Sequence, residues 1–139
     1  MSEKTYIQVD GAAPEASPIG ATLEALASTI ASRKNAGEES YTYRLLSGEE
    51  AHLLGKVTEE AAEVAQAATE HSASGSDADG DHLRYEAADV VYHLMVVLER
   101  HGISLDEFAA ELNSRMTQEE LAARPGALLL KPEHINRGK

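Results

Sequence analysis

Two long stretches of this chain carry apolar residues at helical spacing, and each has carboxylates set into or along its apolar stripe. One stripe runs from Leu53 through Val57, Ala61, Val64 and Ala68 to about His71. A second, more apolar, runs from Leu83 through Ala87, Val90, Val91, Leu94, Val97 and Leu98 to Gly102. Recurrence at three and four residues marks an amphipathic helix whose stripe must find a partner. Composition agrees: 23 of the 139 residues are alanine and only six are aromatic. That suits close-packed helices and denies a sandwich or barrel the β-branched and aromatic residues it needs. The expected fold is all-α, an antiparallel bundle of about four to five helices joined by short loops.

Local punctuation sets the expected boundaries. Residues 1–20 hold Gly11, Pro14 and Pro18 and no sustained period, so they read as a loose arm. Thr22 is expected to cap a first helix carrying Leu23, Leu26, Ala27 and Ile30, which Asn35-Ala36-Gly37 ends. Ser40-Tyr41-Thr42 falls in an ordered loop or short helical turn. Ser47 with Glu50 has the capping-box pattern for the second helix. Ser104 with Glu107 repeats it for a fourth helix through Leu105, Phe108, Ala109, Leu112 and Met116. Between the two long helices, residues 72–81 read as a polar loop closed by Asp81 as an N-cap. The loop's glycine falls at the wrong position for a calcium-binding EF-hand. Thr117 with Glu120 suggests one more helical turn before Pro125-Gly126, and Leu128-Leu129-Leu130 lies in a tail of no assigned role. The expected division is an arm, 1–20, an all-α domain, 21–116, and a short helix with a tail, 117–139.

Charge narrows the function. Twelve basic against 24 acidic side chains give a net charge of −12, which disfavours nucleic acid and anionic membrane as partners. Without cysteine there is no disulfide framework, zinc–thiolate site or thiol nucleophile. No run approaches the length of a membrane-spanning helix, and Met1-Ser2-Glu3-Lys4 does not open a signal peptide, so a cytoplasmic protein is expected. An anionic substrate would need a divalent cation to offset the repulsion.

The carboxylates are the informative residues. On a helical wheel Glu60 lies about 20–40° from Leu53 and Val64, inside the stripe, while Glu63 and Lys56 border it. Glu86 and Asp89 share one flank of the Leu83–Val90–Leu94 stripe, and His93 follows one turn beyond Asp89. A carboxylate taken into an interior loses several kcal/mol of hydration unless a partner charge offsets it. Two acid pairs turned toward a shared interior, Glu60/Glu63 and Glu86/Asp89, call for a strong counter-charge. All-oxygen ligation suits Mg²⁺ or Mn²⁺, the kind of ion through which proteins grip phosphate chains. An acid pair at this spacing is more often a solvated face, and it is Glu60 within the apolar arc that weighs against that reading here. His93 reads as a satisfied core or rim histidine, Tyr41 and Tyr92 as packing residues with wet hydroxyls, and Arg33, Lys34 and Arg115 as surface charges.

Glu59-Glu60-Ala61-Ala62-Glu63, then 22 residues, then Glu86-Ala87-Ala88-Asp89 resembles the paired ExxE and ExxD motifs of the all-α nucleotide pyrophosphatases, the MazG-like superfamily. Within it the pattern is most similar to phosphoribosyl-ATP pyrophosphatase of histidine biosynthesis. Arg33-Lys34, Ser40-Tyr41-Thr42, Lys56 to Ala61 and Tyr85 to Leu94 extend the likeness over roughly residues 22–116. Gly55 stands where that family commonly has a lysine, and Thr58 where it often has glycine.

The resemblance implies a MazG-like bundle whose active site is completed in a homodimer, consistent with Val91, Met95 and Leu98 widening the third helix's stripe. It implies hydrolysis of phosphoribosyl-ATP to phosphoribosyl-AMP and pyrophosphate. Glu60, Glu63, Glu86 and Asp89 would hold Mg²⁺, with Mn²⁺ an alternative. Glu59 would orient water and Lys56 would meet the developing charge. Arg33, Lys34, Ser40, Thr42, His93 and Arg115 are the further substrate-binding candidates. The related cyclohydrolase domain uses cysteine-bound zinc, so a stand-alone pyrophosphatase is expected. Two alternatives remain open at this point: a house-cleaning (d)NTP pyrophosphatase with the same motifs, and a non-catalytic acidic helical dimerisation module.

Overall fold

A computed structural model of the chain describes residues 17–121 and 130–134. Among these residues there are six α-helices and no strand, as an alanine-rich amphipathic sequence dictates: α1 (Ile19–Ser32), α2 (Tyr41–Ser47), α3 (Glu50–Ser74), α4 (Asp77–Arg100), α5 (Leu105–Asn113) and α6 (Gln118–Leu121). Short 3-10 turns occupy Arg33–Asn35 and Pro132–His134. Two compact units result, divided between Arg100 and His101.

The first unit is built on the α3–α4 hairpin. These two helices pack along one another, with α1 against α4 and α2 against both. Leu45 from α2, Leu53 from α3, Ile30 from α1 and Val96 from α4 are fully buried and tie the four helices together. Burying each such side chain contributes about 1.5–3 kcal/mol. Arg100 Nη1 donates to the Leu45 carbonyl at 2.9 Å, fixing the end of α4 against α2.

Several boundaries differ from expectation for identifiable reasons. Pro18, not Thr22, occupies the N-cap of α1, which therefore begins within the expected arm; residues 1–16 lie outside the described residues. Ser40-Tyr41-Thr42 opens a true helix, because the Ser40 hydroxyl accepts the Tyr43 N–H at 3.2 Å. Ser47 consequently ends α2, its hydroxyl donating to the Tyr43 carbonyl at 2.8 Å. The N-cap of α3 is Glu49, without a side-chain bond, so the expected Ser47–Glu50 capping box does not form.

The expected 72–81 loop is almost entirely helical. Only Gly75 and Ser76 separate α3 from α4. Gly75 takes the left-handed conformation, φ 62°, and returns its N–H to the His71 carbonyl, a cap that favours glycine because it has no Cβ. Ser76, not Asp81, caps α4 by accepting the Asp79 N–H at 3.1 Å. Asp77 and Asp79 then lie where the helix dipole favours anions. Asp81 is buried inside the helix and bonded to Arg84.

In the second unit the local signals hold. Ser104 and Glu107 form the expected capping box of α5, although the helix ends at Asn113 rather than Met116. At the start of α6 the Thr117 hydroxyl accepts the Glu120 N–H at 3.2 Å and the Glu120 carboxylate accepts the Thr117 N–H at 2.8 Å. Pro125-Gly126 and Leu128-Leu129 lie outside the described residues.

Candidate active site

The inner faces of α3 and α4 are centred on charge. On α3 the buried residues are Leu53, Glu60 and Ala67, seven residues apart and so on one face. Ala61, expected inside, is exposed. On α4 the buried residues are Gly80, Asp81, Glu86, His93, Met95 and Val96, while Ala87 and Val91 face out. Met95, expected to widen an outward stripe, belongs to the core. The helices turn these polar residues inward because they find partners there: Glu60, Glu86 and His93 are only 8, 7 and 5 % exposed.

The first cluster joins α2, α3 and α4. His93 Nδ1 lies 2.5 Å from Glu60 Oε2 and 3.0 Å from the Asp89 carbonyl. His93 Nε2 lies 2.8 Å from the Tyr41 hydroxyl. Both ring nitrogens are therefore taken by protein groups, and His93 offers no free nitrogen to a substrate. Tyr92 packs edge-on against His93, centroids 4.9 Å apart, and its hydroxyl meets Thr42 Oγ1. Tyr41 is raised above the ordinary tyrosine pKa by burial first, then by Tyr92, Glu60 and Asp89, with Arg44 opposing.

The second cluster sits one helical turn further along α3. Glu63 is pushed above the ordinary glutamate pKa, first by a hydrogen bond with Glu86, then by burial and by the charges of Glu86 and Glu59; Lys56 pulls the other way. Glu86 Oε1 lies 3.2 Å from His82 Nε2, whereas Glu86 Oε2 is buried with no donor. Lys56 and Glu59 are 3.8 Å apart at the exposed edge of this group.

The remaining candidates have local partners or solvent around them. Lys34 is paired with Glu99 at 2.7 Å, Arg33 is exposed in the turn after α1, and Ser40 is spent on capping α2. Arg115 belongs to the second unit, where it donates to the Glu111 carbonyl. Sequence reasoning did not single out His82, whose one-turn spacing before Glu86 was the available signal, or Arg44, whose guanidinium stands 5.9 Å from the centre of the Tyr41 ring.

Glu60 is thus joined to His93 and Glu63 to Glu86, and among the described residues no three or more His, Asp or Glu side chains stand together as an ion-holding group. The chemistry of the donors nonetheless suits a hard divalent cation: all are oxygens, two carboxyls press together, and a buried Oε2 lacks a partner. No helix among the described residues is long and apolar enough to cross a membrane.

Comparison with known proteins sets this geometry in a lineage. The family profile described as phosphoribosyl-ATP pyrophosphohydrolase matches residues 23–116, from the first turns of α1 to just beyond α5. The chain belongs to this family. It is 42 % identical over 95 residues to the phosphoribosyl-ATP pyrophosphatase of Erythrobacter litoralis, covering 68 % of this chain and 85 % of that protein. Shorter alignments reach 54 % identity with the proteins of the same name from Rhizobium rhizogenes, over 43 residues, and Methylobacterium nodulans, over 46 residues. These span 31 and 33 % of this chain and 41 and 43 % of the relatives' own length. The pyrophosphohydrolase match takes in both acidic clusters whole, together with Tyr41, Tyr92 and His93.

Proposed function

We propose that this protein hydrolyses phosphoribosyl-ATP to phosphoribosyl-AMP and pyrophosphate, the second step of histidine biosynthesis, in the cytoplasm and with Mg²⁺ or Mn²⁺ as cofactor. The observation that carries this reading is the set of inward-facing acids on α3 and α4, one oxygen of which is buried without a donor, in a chain of the pyrophosphohydrolase family. No structural role accounts for an unpartnered buried carboxylate oxygen, which costs stability unless a proton or cation meets it.

Glu60, Glu63, Glu86 and Asp89 would hold the divalent ion, which supplies charge neutralisation for the phosphate chain and lowers the pKa of an attacking water. Glu59, exposed beside Glu63, orients the water and takes its proton as the water oxygen bonds to phosphorus. The α–β bridging P–O bond then breaks and pyrophosphate leaves. Lys56, beside Glu59, meets the charge gathering on the bridging oxygen. Arg33 and Thr42 serve the phosphates, as does Lys34 once it exchanges Glu99 for a phosphate oxygen.

The reading also includes a homodimer, supported by Leu54, Tyr85 and Val91, which remain exposed on α3 and α4. Light scattering should give the dimer mass at micromolar concentration; a monomer contradicts it. For the ion's role the test is Glu60→Gln. It should lower kcat at least ~100-fold with the circular dichroism spectrum unchanged. Wild-type turnover in that variant would remove Glu60 from the site.

A further inference from the structure

The hydrolysis described above gives Glu60 a task but none to the two residues that reach it, His93 and Tyr41. Tyr41 on α2, His93 on α4 and Glu60 on α3 are joined end to end by contacts of 2.8 and 2.5 Å, and His93 is buried against both. A histidine that only filled space between helices would need neither contact, and an apolar residue of similar size would serve at lower desolvation cost.

We propose that His93 is a positioning residue for Glu60, holding the carboxylate through Oε2, and that the Tyr41 hydroxyl anchors the far side of the ring so that it keeps this orientation. The inference rests on the reading of Glu60 as a metal ligand. Its logic lies in the donors and acceptors. Nδ1 faces two acceptors, Glu60 Oε2 and the Asp89 carbonyl, so Nδ1 carries the hydrogen. In the neutral ring Nε2 is then an acceptor, and the Tyr41 hydroxyl donates to it. Without that hydroxyl Nε2 loses its partner and the ring loses its second anchor, which frees it to turn away from the Glu60 carboxylate. The contact with the Asp89 carbonyl also ties the ring to the helical turn that bears another acid of the site. Groups that fix a ligand in this way change metal affinity by roughly 10–100-fold when lost.

Two substitutions separate positioning from packing. In His93→Asn the side-chain amide can stand near the Nδ1 position and keep a donor for Glu60, losing Tyr41. In His93→Gln the amide reaches toward the Nε2 position, keeping Tyr41 and losing Glu60. Mn²⁺ binding to the full-length, metal-free protein, measured by calorimetry or by the electron paramagnetic resonance of free Mn²⁺, is the readout. Glu60→Gln serves as the reference. Positioning predicts His93→Asn within about threefold of wild type and His93→Gln weaker by roughly tenfold or more.

Equal losses in the two variants would mean a packing role and overturn the proposal, while the metal reading stands if Glu60→Gln still weakens binding. Wild-type affinity in Glu60→Gln would overturn both. Should neither His93 variant fold, Tyr41→Phe decides, since it removes one half-exposed hydroxyl. A loss of about 2–10-fold in Mn²⁺ affinity supports the relay, and unchanged affinity overturns it.

Discussion

Glu63 on α3 and Glu86 on α4 bring their carboxyl groups together across the helical hairpin, and the contact raises the pKa of Glu63. Glu86 Oε2 stays buried without a donor. Each carboxyl disfavours ionisation of the other, an effect that a shared proton or a cation would relieve. A divalent ion bound between them would relieve that repulsion, and the relief would add to the ion's binding free energy.

That repulsion has a pH signature. Because the folded-state pKa of Glu63 is raised, the native protein retains a proton that the unfolded chain has already released. Stability is therefore lost as pH climbs from the ordinary glutamate value through the raised one, and it stays lost above. In Glu63→Gln the amide can still donate to Glu86 but never ionises. With EDTA present its Tm should exceed that of wild type by a few degrees at pH 7.5, and the gap should close as pH falls to about 4. Mg²⁺ should raise the wild-type Tm and leave the variant nearly unmoved. Identical melting at both pH values contradicts the repulsion.

Asp79 shows the opposite sign. Its pKa is lowered first by a hydrogen bond from Ser74, then by Ser76 and by His71 and His82, with burial opposing. The stability it contributes is present above the ordinary aspartate value and is lost as pH falls through the lowered one. Asp79→Asn should lower the Tm at pH 7 by no more than a few degrees, and the difference should vanish by about pH 2–3. Thermal melts across that range check it, and a loss that persists in acid would point to packing rather than charge.

Gly55 lies in the interior of α3, and a Cβ there would meet no atom within 4 Å. Gly55→Ala should therefore stabilise the protein by about 0.5–1 kcal/mol through helix propensity. Urea denaturation measures this directly, and a destabilised variant would mean that the position is covered by something absent from a single chain.

The parts of the fold that were readable in sequence are those decided locally. Ser104–Glu107 and Thr117–Glu120 cap helices because each satisfies orphan donors within four residues. Ser47–Glu50 has the same spacing and fails, since Ser40 starts a helix that already claims Ser47. The serine- and aspartate-rich run at 72–81 misleads because those residues suit loops and the first turn of a helix equally well. At the candidate site, Glu60 was marked by its place in the apolar stripe. The inward turn of Glu86 and His93 was not, because it depends on partners supplied by other helices: Tyr41 lies 52 residues from His93, and Glu60 lies 33. Periodicity counts apolar residues and assigns Ala61 and Ala87 to the interior; a buried polar network reverses that count.

Metal-dependent cleavage of a phosphoribosyl nucleotide is tested most directly by pyrophosphate release. The assay would compare phosphoribosyl-ATP with ATP and a panel of dNTPs in Mg²⁺, each repeated in EDTA. Strong preference for phosphoribosyl-ATP, abolished by EDTA, is the predicted result. Preferential turnover of dNTPs, turnover that survives EDTA, or no turnover of any nucleotide would contradict it.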